Sequence, residues 1–113
     1  MTKDTFPVCQ RDTLPNGMKL VTEKVPAVRS ASVGIVVGTG SGFERPEEAG
    51  ISHFTEHMLF KGTPSRSAFQ IARDIDSVGG KINAFTSKEY TCFYTIMIDE
   101  HINTALDVLS DIF

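Results

Sequence analysis

From Met18 to Val25 (MKLVTEKV) apolar and polar residues alternate as in a strand, and Leu14-Pro15-Asn16-Gly17 before it carries the Pro and Asn-Gly signals of a tight turn. Pro26 ends this strand. Ser30 to Val37 (SASVGIVV) is rich in small and β-branched residues, with Val33, Ile35 and Val37 on one face and Val36 on the other, and reads as a strand buried on both sides. Residues 81–98 repeat the two-residue period. Tyr90, Cys92, Tyr94, Ile96 and Ile98 share one face there, Thr91, Phe93, Thr95 and Met97 the other, and Thr86-Ser87-Lys88-Glu89 bends the stretch into two strands.

Three other stretches follow the helical period. Ile51 to Phe60 places Ile51, Phe54, Met58 and Leu59 toward a core, with Ser52 as candidate N-cap, and Lys61-Gly62-Thr63-Pro64 stops it. Ser67 to Val78 opens on a Ser67/Gln70 capping box, aligns Phe69, Ala72, Ile75 and Val78, and closes on Gly79-Gly80. A third helix, capped by Asp99, carries Ile102, Ala105, Leu106, Leu109, Ile112 and Phe113 on its apolar stripe. It reaches Phe113 without a stop signal, so the chain is expected to continue into the rest of a larger domain. These elements predict an α+β fold, an antiparallel or mixed sheet with helices on one face.

Between the second strand and the first helix lies Gly38-Thr39-Gly40-Ser41-Gly42, followed by the polar loop Glu44–Gly50. Neither a Gly-Lys-Ser/Thr ending nor a G-x-G-x-x-G spacing is present, so the glycines read as a turn admitting close backbone approach rather than as a phosphate cradle.

Composition narrows the function classes. A chain of 113 residues with 41% hydrophobic content supports one core, and a net charge of −3 with a pI near 5.5 offers no basic face for nucleic acid. No apolar run approaches the roughly 20 residues that cross a bilayer, so no membrane partner is expected. MTKDTFPVCQRD has the features of neither a secretory signal nor a transit peptide, which points to a bacterial cytoplasmic protein, with the mitochondrial matrix as the alternative. Cys9 and Cys92 match no metal or redox spacing and read as two reduced thiols.

The candidate chemistry sits in the first helix. In HFTEHMLFKGT, His53 and His57 are spaced i and i+4, so a helix stands both imidazoles on one face, where they can hold a single ion. Glu56, three residues after His53, is placed to take a proton from an attacking water. The order is H-x-x-E-H, an inverted zincin arrangement.

LPNGMKLV, VGTGSGFERPEEAGISHFTEHMLFKGTPSRS and GGKINAFTSKEYTCFY, taken in succession, resemble the pitrilysin/insulinase family of zinc metallopeptidases, most closely its mitochondrial processing peptidase-like bacterial processing proteases. The resemblance covers nearly the whole chain. It implies that residues 1–113 are the N-terminal, zinc-binding portion of a peptidase domain, resembling the first half of such a domain. It further implies a Zn2+ cofactor held by His53 and His57, Glu56 as general base, and a third ligand, a glutamate, beyond Phe113. Asn83, Ala84 and Phe85 would pair with an extended peptide or presequence-like protein substrate as an added strand. The intact protein would act as a dimer or pair with a homologous non-catalytic half.

Taken without the resemblance, Asn83 and Thr86 read as turn residues bonding to their own backbone, and Glu89 as a solvated turn residue. Two departures from the family pattern stand out: Gly42 where arginine is common, and Thr55 where leucine is usual. Glu89, Asp99, Glu100 and His101 have ligand chemistry, but nothing in their spacing aims them at the motif. The alternative function is a non-catalytic fold or assembly fragment of the same family, and another is a purely structural zinc site.

Overall fold

The computed structural model describes residues 8–113. Most of the leader segment MTKDTFPVCQRD, up to Pro7, lies outside the described residues. Two strands, β1 (Val8–Thr13) and β2 (Lys19–Lys24), form an antiparallel hairpin across the predicted Asn-Gly turn, with Gly17 at φ 86°. The sequence pattern did not disclose β1. Its VCQRDT run has no apolar face, and every residue of both strands is exposed.

The second sheet holds β3 (Ser30–Val37), β4 (Lys81–Thr86) and β5 (Thr91–Ile98) in the antiparallel order β3-β5-β4. Register puts Val33, Thr95 and Ile82 on one face and Val36, Cys92 and Phe85 on the other. Helices α1 (Ile51–Leu59), α2 (Ala68–Asp76) and α3 (Ile102–Ile112) contact the strands, covering the face that carries Phe93, Thr95 and Met97. The α+β expectation, with helices on one face of an antiparallel sheet, therefore holds.

The covered face is the more polar of the two on β5. Thr95 is fully buried and Thr91 nearly so, because each hydroxyl donates to a backbone carbonyl, Lys81 O at 2.8 Å and Thr39 O at 2.9 Å. Satisfied hydroxyls can be buried at little cost, whereas unpaired ones cannot. The opposite face leaves Val36, Ile96 and Ile98 exposed, so β3 is an edge strand with one open face and not the doubly buried strand predicted.

The core gathers Ile71 and Ile75 of α2 with Val108 and Ile112 of α3, and Leu59, Phe60 and Ile82 pack against it. Phe69, predicted to face inward, is 72% exposed. Rotation of α2 onto Ile71 and Ile75 puts it on the solvent side. On α3, Val108 is buried where the pattern pointed to Leu106, which is exposed.

The capping box of α2 is present in both directions, Gln70 N–H to Ser67 Oγ at 3.2 Å and Ser67 N–H to Gln70 Oε1 at 2.8 Å. Its end is a Schellman turn: Gly79 takes φ 67° while Gly80 N–H reaches Ile75 O and Gly79 N–H reaches Asp76 O, both at 3.0 Å. Asp99 caps nothing with its side chain. Its carboxylate is drawn instead to the Arg29 guanidinium, which pairs with Glu100 as well.

Candidate metal centre

Gly50 stands at the N-cap of helix α1, where its φ of 91° suits a residue without Cβ, and Ser52 does not cap the helix. The first free N–H groups bond a carboxylate from the preceding loop: Glu44 Oε1 accepts from Gly50 N–H at 3.0 Å and Oε2 from Ser52 N–H at 2.8 Å. A negative charge at a helix N-terminus satisfies orphan donors and complements the positive end of the helix dipole. Glu44 is thus held ionised, its carboxyl lowered below the usual range chiefly by the Ser52 and Gly50 backbone bonds.

The glycine loop is fixed against the β4–β5 turn. Ser41 N–H donates to Ser87 O at 3.0 Å and Gly42 N–H to Lys88 O at 2.8 Å. A Cβ on Gly40 would stand 2.2 Å from Ser87 O, so glycine is needed there for space. The close approach expected of this loop is to the chain's own backbone.

Which face of α1 meets the sheet differs from the hydrophobic pattern. Ile51, Phe54 and Met58 are 51%, 65% and 48% exposed, and the side turned inward is Ser52, Glu56 and Leu59. A carboxylate occupies the buried position, at 9% exposure, beside an apolar cavity of about 350 Å³ whose walls include Val37, Phe93 and Phe113. That choice forgoes apolar burial on this face of the helix.

His53 and His57 lie on the exposed side. Their Nε2 atoms are 3.0 Å apart and their rings stand edge to face at 87°. Ligand atoms of His53, Glu56 and His57 all fall within 4.8 Å of one another, and among the described residues no other group of three His, Cys, Asp or Glu side chains does so. Two imidazole nitrogens on one tetrahedral zinc are about 3.3 Å apart, given Zn–N bonds near 2.0–2.1 Å. A small opening of the pair would accommodate the ion, and the borderline-soft nitrogen donors suit zinc. Glu89, Asp99, Glu100 and His101 do not join the group.

Helix α1 also contacts β4, the edge strand that carries Asn83, Ala84 and Phe85. Ala84 is half-buried on the helix-covered face. Asn83 and Phe85 point to the other, with Phe85 against Tyr90 and Tyr94 at ring separations of 5.8 and 6.3 Å. Asn83 Oδ1 accepts from the Ala84 N–H at 2.8 Å, a local bond of the kind its residue type favours. Thr86 behaves differently. Its hydroxyl donates across the fold to Glu56 Oε2 rather than to its own turn. The two-residue period that puts Ile82, Ala84 and Thr86 on the helix side was the available signal for this contact.

Known proteins resemble this chain over most of its length. The family model described as Insulinase (Peptidase family M16) matches residues 19–113. The chain is 57% identical over 104 residues to the "Uncharacterized zinc protease YmxG" of Bacillus subtilis, covering 92% of this chain and 25% of that protein. It is 53% identical over 105 residues to the "Uncharacterized zinc protease ML0855" of Mycobacterium leprae, covering 93% of this chain and 23% of that protein. It is also 45% identical over 100 residues to the "Probable mitochondrial-processing peptidase subunit beta, mitochondrial" of Arabidopsis thaliana, covering 88% of this chain and 19% of that protein. The chain thus spans about a quarter or less of the length of these relatives. On the match over residues 19–113, this chain belongs to the insulinase family of peptidases, family M16.

Proposed function

We propose that this chain is the zinc-holding portion of a metalloendopeptidase that hydrolyses peptides or presequence-like segments. One observation carries the reading: two imidazole nitrogens 3.0 Å apart on one helix face, with the carboxylate of Glu56 in the same cluster. His53 and His57 would hold the ion, and a glutamate from residues beyond Phe113 would complete the set of three protein ligands that a catalytic zinc needs. Zinc, when bound, supplies Lewis acidity that polarises a carbonyl and makes a nearby water more acidic.

The chain's own residues supply the proton handling. Glu56 accepts a proton from the attacking water and later passes it to the departing amine, so one carboxylate serves as base and then acid. An extended substrate would lie along the unpaired edge of β4 at Asn83, Ala84 and Phe85, bonded through its main chain. The intact protein would pair with a second copy or with a homologous non-catalytic half, closing a chamber around the peptide.

Zinc titration and peptide hydrolysis, run on this chain and on the longer polypeptide that carries it, test the reading. The 113-residue chain should bind zinc weakly and cleave poorly. The longer polypeptide should bind zinc tightly and cleave, with hydrolysis abolished and zinc retained in Glu56→Gln, and zinc lost in His53→Ala. Tight zinc and strong cleavage by the 113 residues alone, unaffected by Glu56→Gln, would overturn it.

A further inference from the structure

We propose that Thr86 is a positioning residue that tethers Glu56 to strand β4 and keeps its carboxylate out of the metal's coordination sphere. The inference rests on the metal reading above. A carboxylate one helical position from His57 is itself a good zinc ligand, and a site with two imidazoles and open positions would draw it in. Something must hold it back if it is to act on water.

Thr86 is the group that does so. It ends β4 on the helix-covered face, 30 residues from Glu56 in sequence, and its hydroxyl donates to Oε2. A hydroxyl has a single proton to give, so this bond fixes its direction. Threonine is stiff at χ1, and its backbone is pinned. Ser87, the next residue, donates its N–H to Tyr90 O at 2.8 Å and accepts from Ser41 N–H at 3.0 Å.

Glu56, for its part, is 9% exposed, so a bond to Oε2 meets little competition from water. The helix bearing Glu56 is anchored at its start by Glu44, two residues beyond Gly42, whose N–H bonds Lys88 O. Both ends of the Thr86–Glu56 bond are therefore fixed by the same stretch, Gly40 to Glu44.

Cobalt(II) titration of the 113-residue chain, followed by its visible absorption, provides the test in wild type, Thr86→Val, Thr86→Ser and Thr86→Val/Glu56→Gln. Thr86→Val should release Glu56 to ligate, tightening cobalt binding about tenfold and changing the absorption band, in the range that residues behind the ligands exert on metal affinity. Thr86→Ser should match wild type, because it keeps the hydroxyl. The double variant should lose the gain. Equal affinity and spectra in wild type and Thr86→Val, with binding still lost in His53→Ala, would overturn the tether alone. Absence of cobalt binding in every variant, both in this chain and in the longer polypeptide that carries it, would overturn the metal reading and the tether with it.

Discussion

Glu44 shows how one side chain can decide the geometry of a neighbouring helix. Its carboxyl lies below the ordinary glutamate value of 4.5 because the Ser52 and Gly50 N–H groups bond its charged form, donors the unfolded chain does not hold in place. The stabilisation is therefore fully present above the unfolded value and is lost as pH falls through the lowered folded one. Tm should drop on going from pH 6 to pH 3, and Glu44→Gln should drop less over that interval. Identical slopes would remove Glu44 from the account. A second residue-scale prediction concerns space. Gly40→Ala drives a methyl into Ser87 O and should destabilise by about 1–3 kcal/mol in urea unfolding. Gly38→Ala, with nothing within 4 Å, should stay within about 0.5 kcal/mol. At this scale His53, Glu56 and His57 were readable from sequence, since five consecutive positions on a helix bring i and i+4 together without help from the rest of the fold. Thr86 was not, because its partner is reached only through the packing of α1 on β4.

At the level of elements, capping signals carried the most information. Ser67 with Gln70 and Gly79 with Gly80 are local hydrogen-bonding devices, and α2 uses both as its sequence indicates. The inward face of each helix was less legible. Phe69 and Ile75 both fit an apolar stripe, and only the seating of α2 against α3 separates them. Ile75→Ala should cost about 2–5 kcal/mol, as expected for emptying a site at 2% exposure. Phe69→Ala, at 72% exposure, should change stability by less than about 0.5 kcal/mol. Reversal of that order in thermal or urea unfolding would show that α2 is rotated relative to this description. Helix α1 departs further from hydrophobic patterning, because the position turned to the sheet holds Glu56 while Phe54 faces out.

Across the whole molecule, Arg66 joins parts that are distant in sequence. Its guanidinium, 19% exposed, meets Asp74 at 3.0 Å, Asp111 at 2.9 Å and Asp107, and so ties the loop after α1 to both α2 and α3. Thr63 adds a hydroxyl bond to Asp111 at 2.7 Å, and this bond with Arg66 holds the Asp111 carboxyl below its usual range. A planar fork with five donors on three nitrogens spans three separated carboxylates better than a compact ammonium with three. Arg66→Ala should lower Tm clearly, and Arg66→Lys should recover only part of the loss; full recovery by lysine would mean that charge alone matters. No helix among the described residues is long and apolar enough to cross a membrane.

By itself, the sequence determined what depends on near neighbours: the helix and strand periods, the caps, the Asn-Gly turn, and two imidazoles on one helix face, all set by interactions within a few residues. Tertiary structure alone decided which strand face is buried, that Glu56 is the inward residue of α1, and that Thr86 reaches it. Those outcomes follow from strand register and helix seating, where competing faces of similar hydrophobicity are separated only by the partners they meet.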